Sequence, residues 1–497
     1  MTQLSEKKRP PGTPEATVTV AHDGGTPEAL VAFMLRDWKA PPAALPGPID
    51  DAAAFEARRR ALSAQFPGEL LVVPTGHEKV RANDTIYRFR PGTDFYYLTG
   101  NVEPDCVLVM VPDKKKKAGH RDVLFVEPNP GRSDATFYTD RGKGELWVGP
   151  RLGVAHSKAR FAVDECRGLG ELRDSLGAFR VAHPYRVLRG LSDDIDRSMP
   201  VIEARDRAFA AAVSEMRLIK EDIEIAELEK AIASTRRGFE DVIRSLRRDA
   251  ASERWVEGVF NLRARVEGND VGYGTIAAAG AHACILHWMK NDGPLGKDEL
   301  LLLDAGVEAR SLYTADITRT LPISGKFSAE QREIYELVHA AQAAALAAVK
   351  PGNGFMEPNR QAMIVLAQGL EALGILPSAK VALAEENQFY KRYSLHNVSH
   401  MLGLDVHDCA RARQQAYRHG RLRVGMVLTV EPGLYFQLDD QTVPKRYRGI
   451  GVRIEDDVLV TAEGHRNLSA DIPGAARDVE KWMKKVWKKK KGRQPER

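Results

Sequence analysis

The sequence predicts a two-domain α+β chain, an α/β domain followed by a larger one built from long helices and strands. Three observations predict it. At 497 residues the chain exceeds what one hydrophobic core normally organises. Between about residues 50 and 205, short apolar runs alternate with helical stretches. Beyond residue 211, helix-period segments are interspersed with strands that carry acids at their ends.

Taken in order, residues 1–45 open with a stretch rich in Pro, Gly, Thr and charge and read as a flexible arm. Residues 46–210 form the α/β domain. AAAFEARRRALSAQF reads as a helix, and GELLVVP, DFYYLTG, CVLVMVP and DVLFVEP read as strands bounded by Gly or Pro. The Lys114–Lys117 run falls at a turn between two of them. Residues 211–475 form the second domain, entered through MRLIK and a charged helix from about Glu221 to Arg247. A second helix starts at Ser328, with Gln331 as its capping-box partner, and stops at Pro351-Gly352. The strands LLLDAG, MVLTVEPGLY and GVRIEDDVLVT lie between and after these helices. Residues 476–497 read as a basic tail that is dispensable for activity.

The bulk chemistry excludes several classes. No run of eighteen uncharged apolar residues occurs, so no membrane span is expected. The N-terminus lacks the apolar core of a secretory signal. Cys106, Cys166, Cys284 and Cys409 are far apart, which suits reduced thiols in the cytoplasm better than a disulfide framework. The net charge of +5 is concentrated at one end, because residues 481–497 hold nine Lys or Arg against one acid. The remainder is slightly acidic, so no nucleic acid is expected on the folded body. The tail is read as a solvated helix end; contact with nucleic acid or an acidic surface is its alternative.

Four acids stand at strand boundaries. Asp304 follows four leucines, Asp316 sits in TADITRT, Glu431 ends VLTV before Pro-Gly, and Glu455 follows VRI. An ionised carboxylate beside a buried strand is costly unless a cation or donors offset it. One such acid would be structural; four point to a shared cation. The histidines concur, since His396, His400 and His407 crowd into SLHNVSHMLGLDVHD, with His287 in CILHWMKND. His396 and His400 have the spacing of a zinc-protease pair, but Asn397 stands where that motif needs Glu, so it is rejected.

Charge balance favours two ions. Four carboxylates with a hydroxide would leave a single divalent ion heavily undercompensated in a partly dry site. Oxygen-rich ligation with one imidazole suits manganese first, then cobalt, iron or zinc. Two ions can share a hydroxide that attacks a carbonyl, and Glu431 is placed to shuttle its proton.

The segments DAGVEARSLYTADITRTLP, HNVSHMLGLDVHD, TVEPGLY and GIGVRIEDDVLVT resemble the signature blocks of the M24B peptidases, the aminopeptidase P and prolidase group. The resemblance runs from about residue 216 to 470. It implies a pita-bread fold, a curved antiparallel sheet with helices outside. It implies that Asp304 chelates one metal, that Asp316 and Glu455 bridge two, and that His400 and Glu431 complete the second. It further implies that His287 and His407 bond the substrate and the tetrahedral intermediate, and that His396, Tyr435 and Arg453 line the proline side. Pairing of Arg453 with the neighbouring acids Asp456 and Asp457 is its alternative. The interval from Asp304 to Asp316 looks one residue longer than the family pattern, which predicts an extra residue in the hairpin turn; a register slip that turns one Asp away from the metals is the alternative.

RANDTIYRFRPGTDFYYLTG and ELWVGPRLG resemble the N-terminal domain of the aminopeptidase P type, with Asp84 and Trp147 at its matching positions. The expected substrates are peptides with proline in second position, cleaved by a homo-oligomer, a dimer or tetramer. A prolidase restricted to dipeptides is the rival enzyme, and a non-catalytic pita-bread binding protein the rival of another class. No Gly-x-Ser-x-Gly elbow or phosphate loop is present, so serine hydrolases and nucleotide enzymes are not expected.

Overall fold

Five strands of the N-terminal half form one mixed sheet, in the order Glu165–Gly168, His120–Val126, Val107–Pro112, Leu70–Pro74, Tyr185–Val187. The computed structural model describes residues 25–39, 44–117, 119–246 and 252–488. The chain divides into two units at Ala210/Ala211, inside the helix Glu203–Met216. In the first unit the two edge strands pair parallel and the inner strands antiparallel. Leu70, Val72, Val109, Val123 and Phe125 form its core with Leu176 and Ile195.

Two expectations for this unit fail. DFYYLTG is not a strand but part of the helix Thr93–Thr99, closed by Gly100 at φ 67. Phe95 to Thr99 are all buried, so the segment has no polar side to display a helical period, and its aromatics mimic strand composition. The arm is likewise not wholly flexible. Residues 28–34 are helical, and the Tyr138 hydroxyl donates to the Met34 carbonyl at 2.7 Å. Residues 1–24 and 40–43 of the expected arm lie outside the described residues.

Among the described residues, every strand pair of the second unit is antiparallel. The strand Leu300–Ala305 pairs with Ile317–Pro322 in unbroken register, Asp304 opposite Thr318. The turn between them closes through residues 309–313, with Leu312 in the left-handed region at φ 65, and this takes up the long Asp304–Asp316 interval. A second ladder breaks halfway. Val427–Val430 pairs with Asp456–Thr461 and Gly433–Tyr435 with Gly451–Arg453, while between them Glu431-Pro432 and Ile454-Glu455 leave the regular ladder and keep only the long bond from Ile454 N–H to the Pro432 carbonyl at 3.4 Å. Proline has no N–H for a ladder bond, which helps to open this gap.

Helices cover the strands. Asp222–Ser245 and Glu253–Glu267 pack together, as do Ala329–Ala348 and Glu357–Ala372. Ser328 caps its helix as expected, exchanging bonds with Gln331 in both directions. The tail expectation is overturned. Ala476–Lys488 is a helix whose Val479, Trp482, Met483 and Val486 join the core of this unit, and Trp487 Nε1 donates to the Ile243 carbonyl at 2.6 Å. Its lysines masked a strongly amphipathic period; residues 489–497 lie outside the described residues.

Candidate metal centre and active site

Register gathers the first two acids, and hydrogen bonds to Thr318 bring in a third. Asp304 and its cross-strand neighbour Thr318 share one sheet face, and Asp316, two residues before Thr318, shares it too. The Thr318 hydroxyl donates to Glu455 Oε2 at 2.6 Å, and Glu455 N–H donates to the Thr318 carbonyl. Glu431 and Glu455 leave the broken ladder at the same level. His400 is fixed to the strand beside Glu431 by reciprocal bonds with Thr429. All five line one cavity of about 430 Å³, together with His287, His396, His407, Arg453 and Tyr273.

The donor set suits a cation. Ligand atoms of Asp316, His400 and Glu455 lie within 4.8 Å of one another. His400 Nδ1–H donates to the Met401 carbonyl at 3.1 Å, so Nε2 faces Asp316 Oδ2 at 3.2 Å and Glu431 Oε1 at 3.5 Å. Only a proton or a metal can occupy that interval, and a ring anchored through its other nitrogen is the usual arrangement of a ligating histidine. Burial and the neighbouring carboxylates raise the Glu455 carboxyl well above its usual range, and burial lifts Glu431 to about 7 despite His400 and Arg453. Burial opposes charge on His400, but the Asp316 bond and the Glu431 charge outweigh it and raise it to about 9. The cluster thus holds more negative charge than its own cations offset.

Arg453 does not pair with Asp456 or Asp457. Its guanidinium donates to Asp304 Oδ2 at 2.6 Å, to the Tyr435 hydroxyl at 2.9 Å and to Thr318 Oγ1 at 3.2 Å. Asp456 is taken by Arg319, a buried side chain that also holds the Glu455 carbonyl at 2.6 Å. Tyr435 donates in turn to His396 Nε2 at 2.7 Å, since His396 Nδ1–H is committed to the Asn397 carbonyl. Burial and the Arg453 charge depress His396 to about 4, which keeps it neutral. His287 and His407 are exposed at the cavity, the His407 ring edge-on to His400 at 4.4 Å.

Tyr273 was not anticipated. Its hydroxyl lies 2.7 Å from Asp304 Oδ1 and 2.5 Å from Asp316 Oδ1, tying two candidate ligands together. A lone tyrosine in VGYGTI carries no local signal for this. Nor did the buried ion cluster Arg217–Lys220–Asp408 announce itself, although it fixes the chain next to His407. Asp84 and Trp147 lie in the first unit and do not line the cavity. Asp84 is exposed in the turn between Val80–Ala82 and Thr85–Ile86. Trp147 is half exposed, its Nε1 donating to the Tyr138 carbonyl at 2.7 Å.

Residues 226–462, which contain the whole donor set, match the model of metallopeptidase family M24. The chain belongs to that family. Residues 55–185 match the aminopeptidase P N-terminal domain. Xaa-Pro aminopeptidase 1 of Streptomyces coelicolor is 51% identical over 440 residues, 88% of each chain. Xaa-Pro aminopeptidase of Escherichia coli K12 is 34% identical over 86% of this chain and 97% of its own. Among solved structures, E. coli aminopeptidase P with the inhibitor Pro-Leu superposes with a TM-score of 0.79 at 31% identity, covering 89% of this chain and all of the other. A zinc-substituted form of that E. coli protein, in complex with product, matches equally well at 0.79. The C-terminal unit is therefore the pita-bread domain of an M24 metallopeptidase, preceded by an aminopeptidase P-type N-terminal domain.

Proposed function

We propose that this chain is a metal-dependent Xaa-Pro aminopeptidase that hydrolyses the bond between an N-terminal residue and a penultimate proline. One observation carries the reading. Asp304, Asp316, His400, Glu431 and Glu455 converge on one cavity, in a chain half identical to proteins named for that activity.

In this reading Asp304, Asp316, His400, Glu431 and Glu455 hold two divalent ions, manganese by preference and cobalt, iron or zinc as alternatives. Arg453 adds the one positive charge that brings four carboxylates, a hydroxide and two divalent ions to neutrality. When bound, the ions supply Lewis acidity and an activated water. The chain's own residues do the rest. Glu431 moves a proton from the attacking water toward the proline nitrogen. His287 and His407, free at the cavity, hydrogen-bond the substrate carbonyl region as its charge develops. His396, neutral and held by Tyr435, bounds the proline side with Arg453 behind it. Asp84 and Trp147 act at the cleft of a homo-oligomer, a dimer or tetramer, and the cytoplasm is the proposed compartment.

The metal requirement is directly testable. Elemental analysis should find close to two divalent ions per active chain, and chelation should abolish cleavage of Xaa-Pro-Xaa peptides until metal is returned. Asp316→Asn should leave the circular dichroism unchanged and remove more than about nine-tenths of turnover, the equivalent of about 1.4 kcal/mol of barrier. Full activity with at most one ion after titration would contradict the paired site.

A further inference from the structure

We propose that Glu253 is a positioning residue for His287, a single buried carboxylate that sets the loop holding this histidine at the cavity. The inference rests on the peptidase reading for its kinetic consequence and on geometry alone for its structural one.

Glu253 is the first residue of the helix Glu253–Glu267, and none of it is exposed. Its two oxygens are fully subscribed. Oε1 accepts from Ala279 N–H and His282 Nδ1–H, each at 2.8 Å. Oε2 accepts from Trp288 Nε1–H at 2.8 Å and Gly293 N–H at 2.7 Å. These four donors mark the beginning, the body and the end of one segment, residues 279–293. The Glu253 N–H also donates to the Gly293 carbonyl at 3.1 Å, which closes the loop.

Between the tied points the loop presents Leu286, His287 and Met289 to the cavity. Trp288, the residue directly after His287, is held twice. Its indole N–H is on Glu253, and its ring stacks on His282 at 3.9 Å and 26°. Gly293 must be small, because a Cβ there would stand 2.8 Å from Glu253 Oε2. Glu253 itself does not line the cavity, so any effect on turnover must pass through the loop. A carboxylate is required as well as its shape. Glutamine has one acceptor oxygen and would turn its NH₂ toward two of the four donors, leaving buried N–H groups unpaired.

The test is a double-mutant cycle between Glu253→Gln and His287→Ala, read with an Xaa-Pro-Xaa tripeptide and with histidine-ring NMR. E253Q should stay folded, keep its metal content and lose about tenfold or more in kcat, because a misplacement of about 1 Å can cost that much. In the H287A background the same change should cost less than about twofold, the non-additivity expected when one residue acts through another. The ring signals of His287, identified by their absence in H287A, should shift in E253Q without any turnover being needed. Trp288→Phe, which keeps the ring stack and removes one donor, should repeat the pattern more weakly and serves if E253Q folds poorly. Multiplicative losses, or unmoved His287 signals in a folded variant, overturn the inference. Failure of the wild type to cleave Xaa-Pro bonds, with His287 signals that still shift, overturns the peptidase reading instead.

Discussion

Arg453 Nη2 donates to Asp304 Oδ2 across 2.6 Å, although 149 residues separate the two in sequence. The guanidinium is buried and meets Asp304, Tyr435 and Thr318 at once, so it orients a candidate ligand and a candidate residue of the proline side together. Lysine can keep the charge but not the planar fork. Arg453→Lys should therefore lose about 10- to 100-fold in kcat/KM, the scale of losing a partner that orients a metal ligand, with an unchanged fold. Steady-state kinetics with circular dichroism as control decides it; near-wild-type turnover would reduce Arg453 to a counter-charge.

Asp408 anchors the chain directly after His407 to Arg217 and Lys220. It is buried, which resists ionisation, but Lys220 at 2.8 Å and Arg217 at 3.1 Å prevail and hold its carboxyl down to about 2. A folded-state value below the unfolded one of about 3.9 contributes stability that is complete above about pH 4 and is lost as pH falls through about 2. Asp408→Asn should cost about 3–5 kcal/mol at pH 7, because two buried cations lose a carboxylate partner. It should also flatten the fall in stability between about pH 4 and 2. Urea midpoints at pH 7 and from about pH 4 to 2 check both; equal midpoints for the two proteins at pH 7 would show that the cluster contributes little.

The C-terminal helix is structural. Ending the chain after Val479 removes the buried Trp482, Met483 and Val486, each worth about 1.5–3 kcal/mol when buried. That truncation should lower Tm sharply and reduce soluble yield, whereas ending it after Lys488 should change neither Tm nor kcat. Equal melting of the first truncation and the full chain would mean that the helix adds nothing to the core.

What was legible in the sequence were features with a local physical cost. Asp304 after four leucines, and Glu431 and Glu455 at strand ends, are acids placed where a lone carboxylate is expensive. Their convergence in one cavity follows from strand register and a broken ladder. What escaped depends on partners distant in sequence. Arg453 was placed at the cavity, but its alternative, pairing with Asp456, could be dismissed only once Arg319 was seen to hold that acid. Tyr273 and Glu253 are single residues whose roles exist only once other segments fold onto them. The Thr93–Thr99 helix escaped because burial on all sides erases its period, and the C-terminal helix because charge hid its apolar stripe.

The most direct test of the account is substrate length. An aminopeptidase leaves the chain free to continue beyond the proline, whereas a dipeptidase needs a cation to capture the proline carboxylate. Arg453 is already engaged by Asp304 and Tyr435, which leaves it ill-suited to that capture. With metal restored after chelation, Xaa-Pro-Xaa tripeptides and their C-terminal amides should be cut at the Xaa-Pro bond. Their kcat/KM values should be similar to each other and at least equal to that of Xaa-Pro dipeptides. Turnover confined to free dipeptides, and lost when these are amidated, would contradict the account and make the chain a prolidase.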